Sequence, residues 1–310
     1  MTRPGSAAGH HDAAVIGCGL MGAALARTFA KNGYAVAAWN RTPGRAEALA
    51  GDRITPVRSV GDAVRSSRLM VACTSTTEAL LTALAPVAPW HGTALVNLAS
   101  TSPEEAEGAE RWAAARGAAY LDGAVVCHPQ DIGSSRAAIL YAGSPAVWAE
   151  HERTLKCLAG ASTCVSEQVT AASLLNVGLV GAFYVSALSA YVEAATYVLS
   201  QGVSVEALHA LTPVAVAGLE KAAEEVAAAI ASGEHATDQA TIDTYAEGAN
   251  AALAVMRGSG QRARLLAAAA GNLDGAAAAG LGALGFSAQT EVVNEGGTAT
   301  ATTATATEKE

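Results

Sequence analysis

The chain predicts an α/β fold in its first half and an all-helical second half. Three observations carry this expectation. The run Gly17-Cys18-Gly19-Leu20-Met21-Gly22 sits between an apolar stretch at 13–16 and a helical pattern at 23–31. Strand and helix signals then alternate from residue 12 to about residue 165. Beyond residue 166 strand signals largely stop, and long apolar or alanine-rich segments replace them. Repeated strand–helix alternation implies a parallel sheet covered on both faces.

The first strand, tight turn and helix have the G-x-G-x-x-G spacing of a dinucleotide-binding start. Gly17 permits the turn, Gly19 lets the backbone approach a pyrophosphate, and Gly22 lets helix and strand pack closely. The helix N-terminus, with Leu20 and Met21 in its first turn, adds N–H groups and positive potential for phosphates. The second strand is expected at 34–39. Where a chain that binds NAD usually has Asp or Glu for the ribose 2′-hydroxyl, this one has Asn40-Arg41-Thr42, with Arg45 a turn later. A 2′-phosphate wants cations and repels a carboxylate, so the expected cofactor is NADPH. The plainer reading of Arg41 and Arg45 is solvated surface charge.

Thr42-Pro43 reads as N-cap and first helical position, and a short strand follows at 54–57. Leu69-Met70-Val71-Ala72-Cys73 is a continuous apolar strand of the kind buried in parallel sheets. Leu95-Val96-Asn97-Leu98 is another, and Ser102-Pro103-Glu104-Glu105 opens a helix with a capping box. The next strands are expected at 119–122 and 138–141. Next comes a long apolar stretch, 171–199, which contains Ser173, Asn176, Ser186, Ser189 and Glu193 and has no positively charged flank. A soluble helix that is apolar all round is a buried one, so this segment is expected to be a buried inter-domain helix and not a membrane span. Helices rich in alanine are expected at 205–232 and 238–270, and a last short one at 286–293; 275–285 is ambiguous. Small side chains make a thin core, and packing against a second subunit would thicken it, so a dimer is expected. The resulting layout is a Rossmann domain at 12–165, the long inter-domain helix and helical substrate and dimerisation domain at 166–293, and a disordered tail at 294–310. The polar lead at 1–11 is also expected to be disordered.

Composition narrows the function. The chain has 310 residues, 51% of them hydrophobic, enough for two sizeable cores. A net charge of −9 with no basic cluster argues against nucleic acid as a partner. Five scattered cysteines without C-x-x-C spacing, and no signal peptide, point to reduced thiols in a cytoplasmic protein. No H-E-x-x-H or Cys/His cluster occurs, so no metal is expected.

With these features in place, the chain resembles the imine reductases, within the 6-phosphogluconate and β-hydroxyacid dehydrogenase superfamily. The resemblance rests on Val15-Ile16-Gly17-Cys18-Gly19-Leu20-Met21-Gly22, on Trp39-Asn40-Arg41-Thr42-Pro43 and on Leu95-Val96-Asn97-Leu98-Ala99-Ser100 through Pro103. Its most specific stretch is Tyr120-Leu121-Asp122-Gly123-Ala124, followed by Pro129, Ile132-Gly133 and Leu140-Tyr141. There Cys127-His128 stands where hydroxyacid dehydrogenases usually have a double glycine. The resemblance implies NADPH-dependent reduction of a C=N bond, in an imine or enamine substrate, to an amine. It also implies an intertwined homodimer with shared active sites.

The hydroxyacid dehydrogenases carry a proton-donating lysine early on the long helix, with an asparagine four residues on. By that spacing the positions here are Ala172 and Asn176. An iminium is cationic, and an ammonium ~4 Å away would repel it by about 4 kcal/mol at an effective dielectric of about 20. Loss of the lysine therefore favours C=N over C=O. Tyr184 lies eight residues past Asn176, slightly more than two helical turns, so the two share a face. The resemblance makes Tyr184 the proton donor or iminium anchor and Asn176 an orienting residue; the plain alternative for Tyr184 is a core tyrosine. His128 and Thr101 are candidates for the substrate pocket, while Ser100, Thr74 and Ser75 at strand ends are candidate cofactor contacts or ordinary capping loops. Asp238 and Asp243 read better as a solvated face than as a partner's contribution. The chain departs from the family pattern at Thr101, at 165–168, which lacks a glycine, and at Cys127-His128, and this leaves the substrate open. Two other readings remain at this point: a β-hydroxyacid dehydrogenase-like carbonyl reductase lacking the lysine, and a catalytically silent NADPH-binding protein.

Overall fold

Eight strands form one sheet: β1 (Ala13–Ile16), β2 (Val36–Trp39), β3 (Ile54–Pro56), β4 (Leu69–Ala72), β5 (Ala94–Asn97), β6 (Ala119–Val125), β7 (Ile139–Gly143) and β8 (Thr163–Ser166). The computed structural model describes residues 10–293 except 52, 89 and 91. The expected disordered tail at 294–310 and most of the lead at 1–11 lie outside the described residues. His11 is already part of the fold, its N–H donating to the Ser66 carbonyl at 2.7 Å.

Strand order is β3-β2-β1-β4-β5-β6-β7-β8. The chain works outward from β1 to β3 and then returns to β4 on β1's other side. That reversal leaves a crevice outside the carboxyl ends of β1 and β4, where α/β sheets bind ligands. β1, β4 and β5 are buried at every residue, as their continuous apolar runs require. Alternate side chains feed two cores. Val15, Leu25, Phe29, Val71 and Val96 pack on one face; Ile16, Met70, Leu80, Trp90 and Leu95 pack on the other.

The helices of this half are α1 (Leu20–Lys31), α2 (Pro43–Glu47), α3 (Val60–Ser66), α4 (Thr77–Leu84), α5 (Pro103–Ala114) and α6 (Pro145–Lys156). The α5 cap forms as its sequence implies. Ser102 Oγ accepts from the Glu105 N–H at 3.2 Å, and Glu105 Oε2 accepts from the Ser102 N–H at 2.8 Å.

The expected all-parallel sheet needs one correction. β6 and β7 pair antiparallel, Gly123 opposite Tyr141. The connection between them carries only a short 3-10 turn, Pro129–Asp131. Without a crossover helix the chain cannot return to the starting edge of the sheet, so it turns back directly.

Two compact units divide the chain, one ending at Tyr184 and the other beginning at Val185. The division falls inside the helical run, later than the 165/166 boundary read from the sequence. That run comprises α7 (Thr170–Leu175), a π-helical segment (Asn176–Tyr184) and α8 (Val185–Ser200). The expectation that it is buried is overturned for the single chain: Val177 is 56% and Val192 59% exposed. Among the described residues Ala172 and Tyr197 pack against neighbours, while most of the large apolar side chains between them stay uncovered.

The second unit continues with α9 (Val205–Ser232), α10 (Ile242–Gly258), α11 (Arg264–Ala276) and α12 (Thr290–Val293). The stretch read as helical over 238–270 breaks in two around Gly258-Ser259-Gly260, and Ala263 takes a left-handed φ of 43° before α11. The Glu193 carboxylate accepts from the Arg264 and Leu265 N–H groups and so caps α11. The cores here are small. Ile242, Ala246, Leu273, Ala276 and Ala288 form one, and Leu253, Met256, Ala263 and Ala270 the other.

Candidate active site

The loop after β1 is built as its glycines demand. Gly17 has φ +95°, and a Cβ there would collide with the Cys73 carbonyl of the loop after β4. A Cβ on Gly22 would collide with the Gly17 carbonyl, so α1 packs on the turn only because residue 22 has no side chain. At Gly19 a Cβ would meet nothing within 4 Å. That open space lies at the N-terminus of α1, whose first turn holds no acidic residue. Backbone N–H groups, a positive helix end and clear space together fit a pyrophosphate. Leu20 is 85% exposed beside it, whereas Met21 packs against the core.

Asn40 turns out to be a structural tie within this loop. Its Oδ1 accepts from the Cys18 N–H at 2.9 Å, and its Nδ2 donates to the Thr42 carbonyl at 3.0 Å. It thereby holds the glycine loop against the end of β2. Thr42 precedes α2 but makes no side-chain cap. Arg41 and Arg45 are both exposed, and among the described residues neither guanidinium makes an ion pair or hydrogen bond. Two free cations beside the end of β2 suit a 2′-phosphate. Thr74 Oγ1 donates to the Thr76 carbonyl at 2.9 Å, and Thr76 caps α4, so this loop has the capping geometry. Ser75 is exposed there.

A cavity of about 80 Å³ lies at the carboxyl ends of β5 and β6, against α7 and the start of the π-helical segment. Ser100, Thr101, Asp122, Ser173 and Asn176 supply its polar lining. Asn176 therefore reaches the site expected for it. Ala172, at the lysine position, is fully buried and packs with Ala124 and Ala142. Tyr184 does not line this cavity. It ends the π-helical segment, is 52% exposed, and its hydroxyl has no hydrogen-bond partner among the described residues. His128 is exposed, starts the Pro129–Asp131 turn with its N–H donating to Asp131 Oδ2 at 3.2 Å, and is absent from the cavity lining. Asp238 and Asp243 are exposed in the second unit.

Behind the cavity runs a buried polar network. Asn97 Nδ2 lies 3.0 Å from Thr77 Oγ1, 3.2 Å from Thr101 Oγ1 and 3.1 Å from the Tyr120 hydroxyl. Asn97 Oδ1 accepts from the Ala99 N–H at 3.1 Å. The Tyr120 hydroxyl donates to Asp122 Oδ1 at 3.1 Å. On the other branch Thr101 Oγ1 donates to the Ala99 carbonyl at 2.9 Å. The Thr101 hydroxyl is thus committed inside the protein and is not a free donor for a substrate. Asp122 is 2% exposed, and burial pushes its carboxyl up to about 7; hydrogen bonds from Tyr120 and the Gly123 N–H pull it part of the way back. Burial, with Asp122 beside it, also raises the Tyr120 phenol.

Asp122, Tyr120 and Asn97 were not among the site residues expected from the sequence. The signal was present: strands buried on both faces should be continuously apolar, yet Asn97 and Asp122 interrupt them at positions that pair with each other.

A glycine loop on an N-terminal helix at the switch point of a doubly wound sheet, followed by a helical half, defines a dinucleotide-binding protein of the dehydrogenase type. Residues 12–170 match the NAD binding domain of 6-phosphogluconate dehydrogenase, and residues 168–295 match the C-terminal domain of the NADPH-dependent reductive aminase-like proteins. The chain belongs to the 6-phosphogluconate dehydrogenase-type NAD-binding family, in the branch whose solved members include imine reductases and reductive aminases. It is 26% identical over 171 residues to an NADPH-dependent reductive aminase of Aspergillus oryzae; that match spans 55% of this chain and little more than half of the relative, 58% of its length. An imine reductase from a Pseudomonas species superposes with a TM-score of 0.85 at 28% identity, over 92% of this chain and all (100%) of that one. A reductive aminase from Aspergillus terreus, solved with NADPH and ethyl levulinate, gives 0.83 at 25% identity over 92% and 100% of the two chains.

Proposed function

We propose that this protein is an NADPH-dependent imine reductase that converts a C=N bond, in a cyclic imine or iminium, to an amine. The observation that carries the reading is the cavity at the ends of β5 and β6. It holds Asn176 but no cation, because Ala172 fills the lysine position and is sealed by Ala124 and Ala142. A cationic nitrogen is tolerated there, while a developing alkoxide finds no ammonium. The resemblance to the imine reductase of Pseudomonas and to the reductive aminases supports the same reading.

Gly17, Gly19 and Gly22 with the α1 N-terminus would hold the pyrophosphate, and Arg41 and Arg45 the 2′-phosphate. Asn40 keeps that loop in place, and Thr74, Ser75 and Ser100 stand at the neighbouring strand ends. When bound, the reduced nicotinamide supplies a hydride. Asn176 orients the substrate nitrogen, and Tyr184 anchors it through its hydroxyl. His128 and Thr101 shape the wall of the pocket: His128 from the loop beyond β6, Thr101 by its methyl group, since its hydroxyl is spent internally.

A cavity of about 80 Å³ is smaller than the roughly 300–1,000 Å³ of ligand sites. The rest of the pocket comes from a second copy. Exposed apolar side chains at Val177, Leu188 and Val192 support a homodimer with shared active sites. The functional division is a cofactor domain at 12–165 and a substrate and dimerisation domain at 166–293. Five free cysteines suit a reducing, cytoplasmic setting.

The test is NADPH consumption against panels of cyclic imines, ketones and hydroxyacids, repeated with NADH. Imine reduction with a strong NADPH preference is expected. Turnover of ketones in place of imines would move the protein to the carbonyl reductases, and equal use of NADH would remove the role of Arg41 and Arg45.

A further inference from the structure

Among the side chains lining the cavity with Asn176, Asp122 alone is ionisable. Tyr184 stands outside that lining, 52% exposed. The neighbours of Asp122 determine what it can do. Its Oδ1 accepts from the Tyr120 hydroxyl at 3.1 Å, and that hydroxyl in turn accepts from Asn97 Nδ2 at 3.1 Å. Every proton along this branch points toward Asp122. Oδ1 is therefore an acceptor, and a proton on the carboxyl resides on Oδ2.

Among the described residues no cation pairs with Asp122. α7 and the start of the π-helical segment bring Ser173 and Asn176 to the cavity, β5 brings Asn97, and β7 pairs Ala142 with Asp122. Tyr141 of β7 belongs to the core on the other face of the sheet. Tyr120 is the one titratable neighbour in contact, and Glu110 of α5 acts on Tyr120 from further away. Burial without a cation keeps a carboxyl protonated toward neutral pH, which is the state a proton donor needs.

We infer that Asp122 is the acid of this site: its Oδ2 proton passes to the nitrogen of a neutral imine. The inference rests on the imine reductase reading. The step balances. The O–H bond of Asp122 breaks and an N–H bond forms, which makes the C=N carbon electrophilic. The hydride then adds to that carbon, the C=N π pair becomes the nitrogen lone pair, and the nicotinamide is oxidised. Asp122, left as a carboxylate, regains a proton from water entering the cavity. An N-alkylated iminium already carries its positive charge and needs no proton, so the two substrates separate this role from a structural one.

The experiment compares reduction of a neutral cyclic imine and of its N-methyl iminium by wild type and by Asp122→Asn, which keeps the shape and the hydrogen bond from Tyr120. In the variant the imine rate is expected to fall about 100-fold relative to the iminium rate, the lower end of what general acids contribute. The imine profile of the wild type should lose rate above pH of about 7, and the iminium profile should not. Tyr120→Phe is the second variant. It removes a hydrogen bond that stabilises the carboxylate, so the limb should move to higher pH. An unchanged imine-to-iminium ratio in Asp122→Asn, or an unmoved limb in Tyr120→Phe, overturns the assignment while leaving the imine reductase reading intact. A wild type that reduces neither substrate removes both.

Discussion

Two glycines three residues apart should respond to the same substitution in opposite ways. Gly22→Ala places a Cβ into the Gly17 carbonyl, and neither partner is a flexible side chain that could swing aside. Overpacking costs about 1–3 kcal/mol, and a collision between backbones belongs at the upper end. At roughly 2–4 °C per kcal/mol for a unit of this size, the melting temperature should drop by about 6–12 °C. Gly19→Ala meets nothing within 4 Å, and its φ of −72° and ψ of −167° are open to alanine. There the loss of unfolded-state freedom should stabilise by about 0.4–1 kcal/mol and raise the melting temperature by roughly 1–4 °C. The new methyl group would nevertheless occupy the space reserved for a pyrophosphate, and NADPH affinity should weaken at least about tenfold, or ~1.4 kcal/mol. Thermal melts without cofactor and fluorescence titration with NADPH measure both quantities on each variant. A Gly19→Ala protein that binds NADPH as tightly as wild type would refute the assignment of the open space to phosphate. A Gly22→Ala protein that melts like wild type would refute the packing argument.

Three further outcomes are expected. Tyr184→Phe should raise KM for the imine by about 2–12-fold, the value of one uncharged hydrogen bond, and leave the acid limb of the pH profile in place; loss of that limb in this variant would make Tyr184 the acid. Leu188→Lys combined with Val192→Lys should convert a dimer to a monomer by light scattering, because both side chains are exposed in the single chain and two ammonium groups would be buried on pairing; a persistent dimer would place the interface elsewhere. Stability measured against pH should separate wild type from Asp122→Asn: the folded carboxyl titrates near 7 and the unfolded one near 3.8, so wild type loses stability as pH rises across that window. The difference between the two proteins should shift in favour of the variant by up to roughly 4 kcal/mol between pH 4 and pH 8, and a flat difference would show that Asp122 ionises freely in the fold.

How far the sequence could be read depended on whether the deciding interaction was local. The glycine turn, the Ser102 capping box and the buried strands at 69–72 and 94–97 follow from neighbours in the chain, and each formed where its residues implied. The antiparallel turn into β7 was hidden because strand signals carry no direction; only the absence of a helix between 126 and 138 hinted at it. The break at 259–263 was signalled by two glycines, but runs of alanine continue the helical pattern through them. The exposure of 174–192 was illegible for a different reason. An apolar helix states that it must be covered, without saying whether its own chain or another copy covers it.

Asp122 shows where such reading ends. As a residue in a strand it looked like the terminus of Tyr120-Leu121-Asp122, and the resemblance to the imine reductases gave the donor's place to Tyr184. The deciding facts lie between elements: β5 and β6 pair Asn97 with Asp122, the Tyr120 hydroxyl bridges them, and α7 closes over the end of β6 with an alanine at the lysine position. Removing the lysine did more than spare a cationic substrate from repulsion. The alanine there also leaves Asp122 without a cation in contact among the described residues, and a buried carboxyl without a cation retains its proton. On this argument the alanine at 172 both admits the nitrogen electrophile and leaves the acid beside it without a cation.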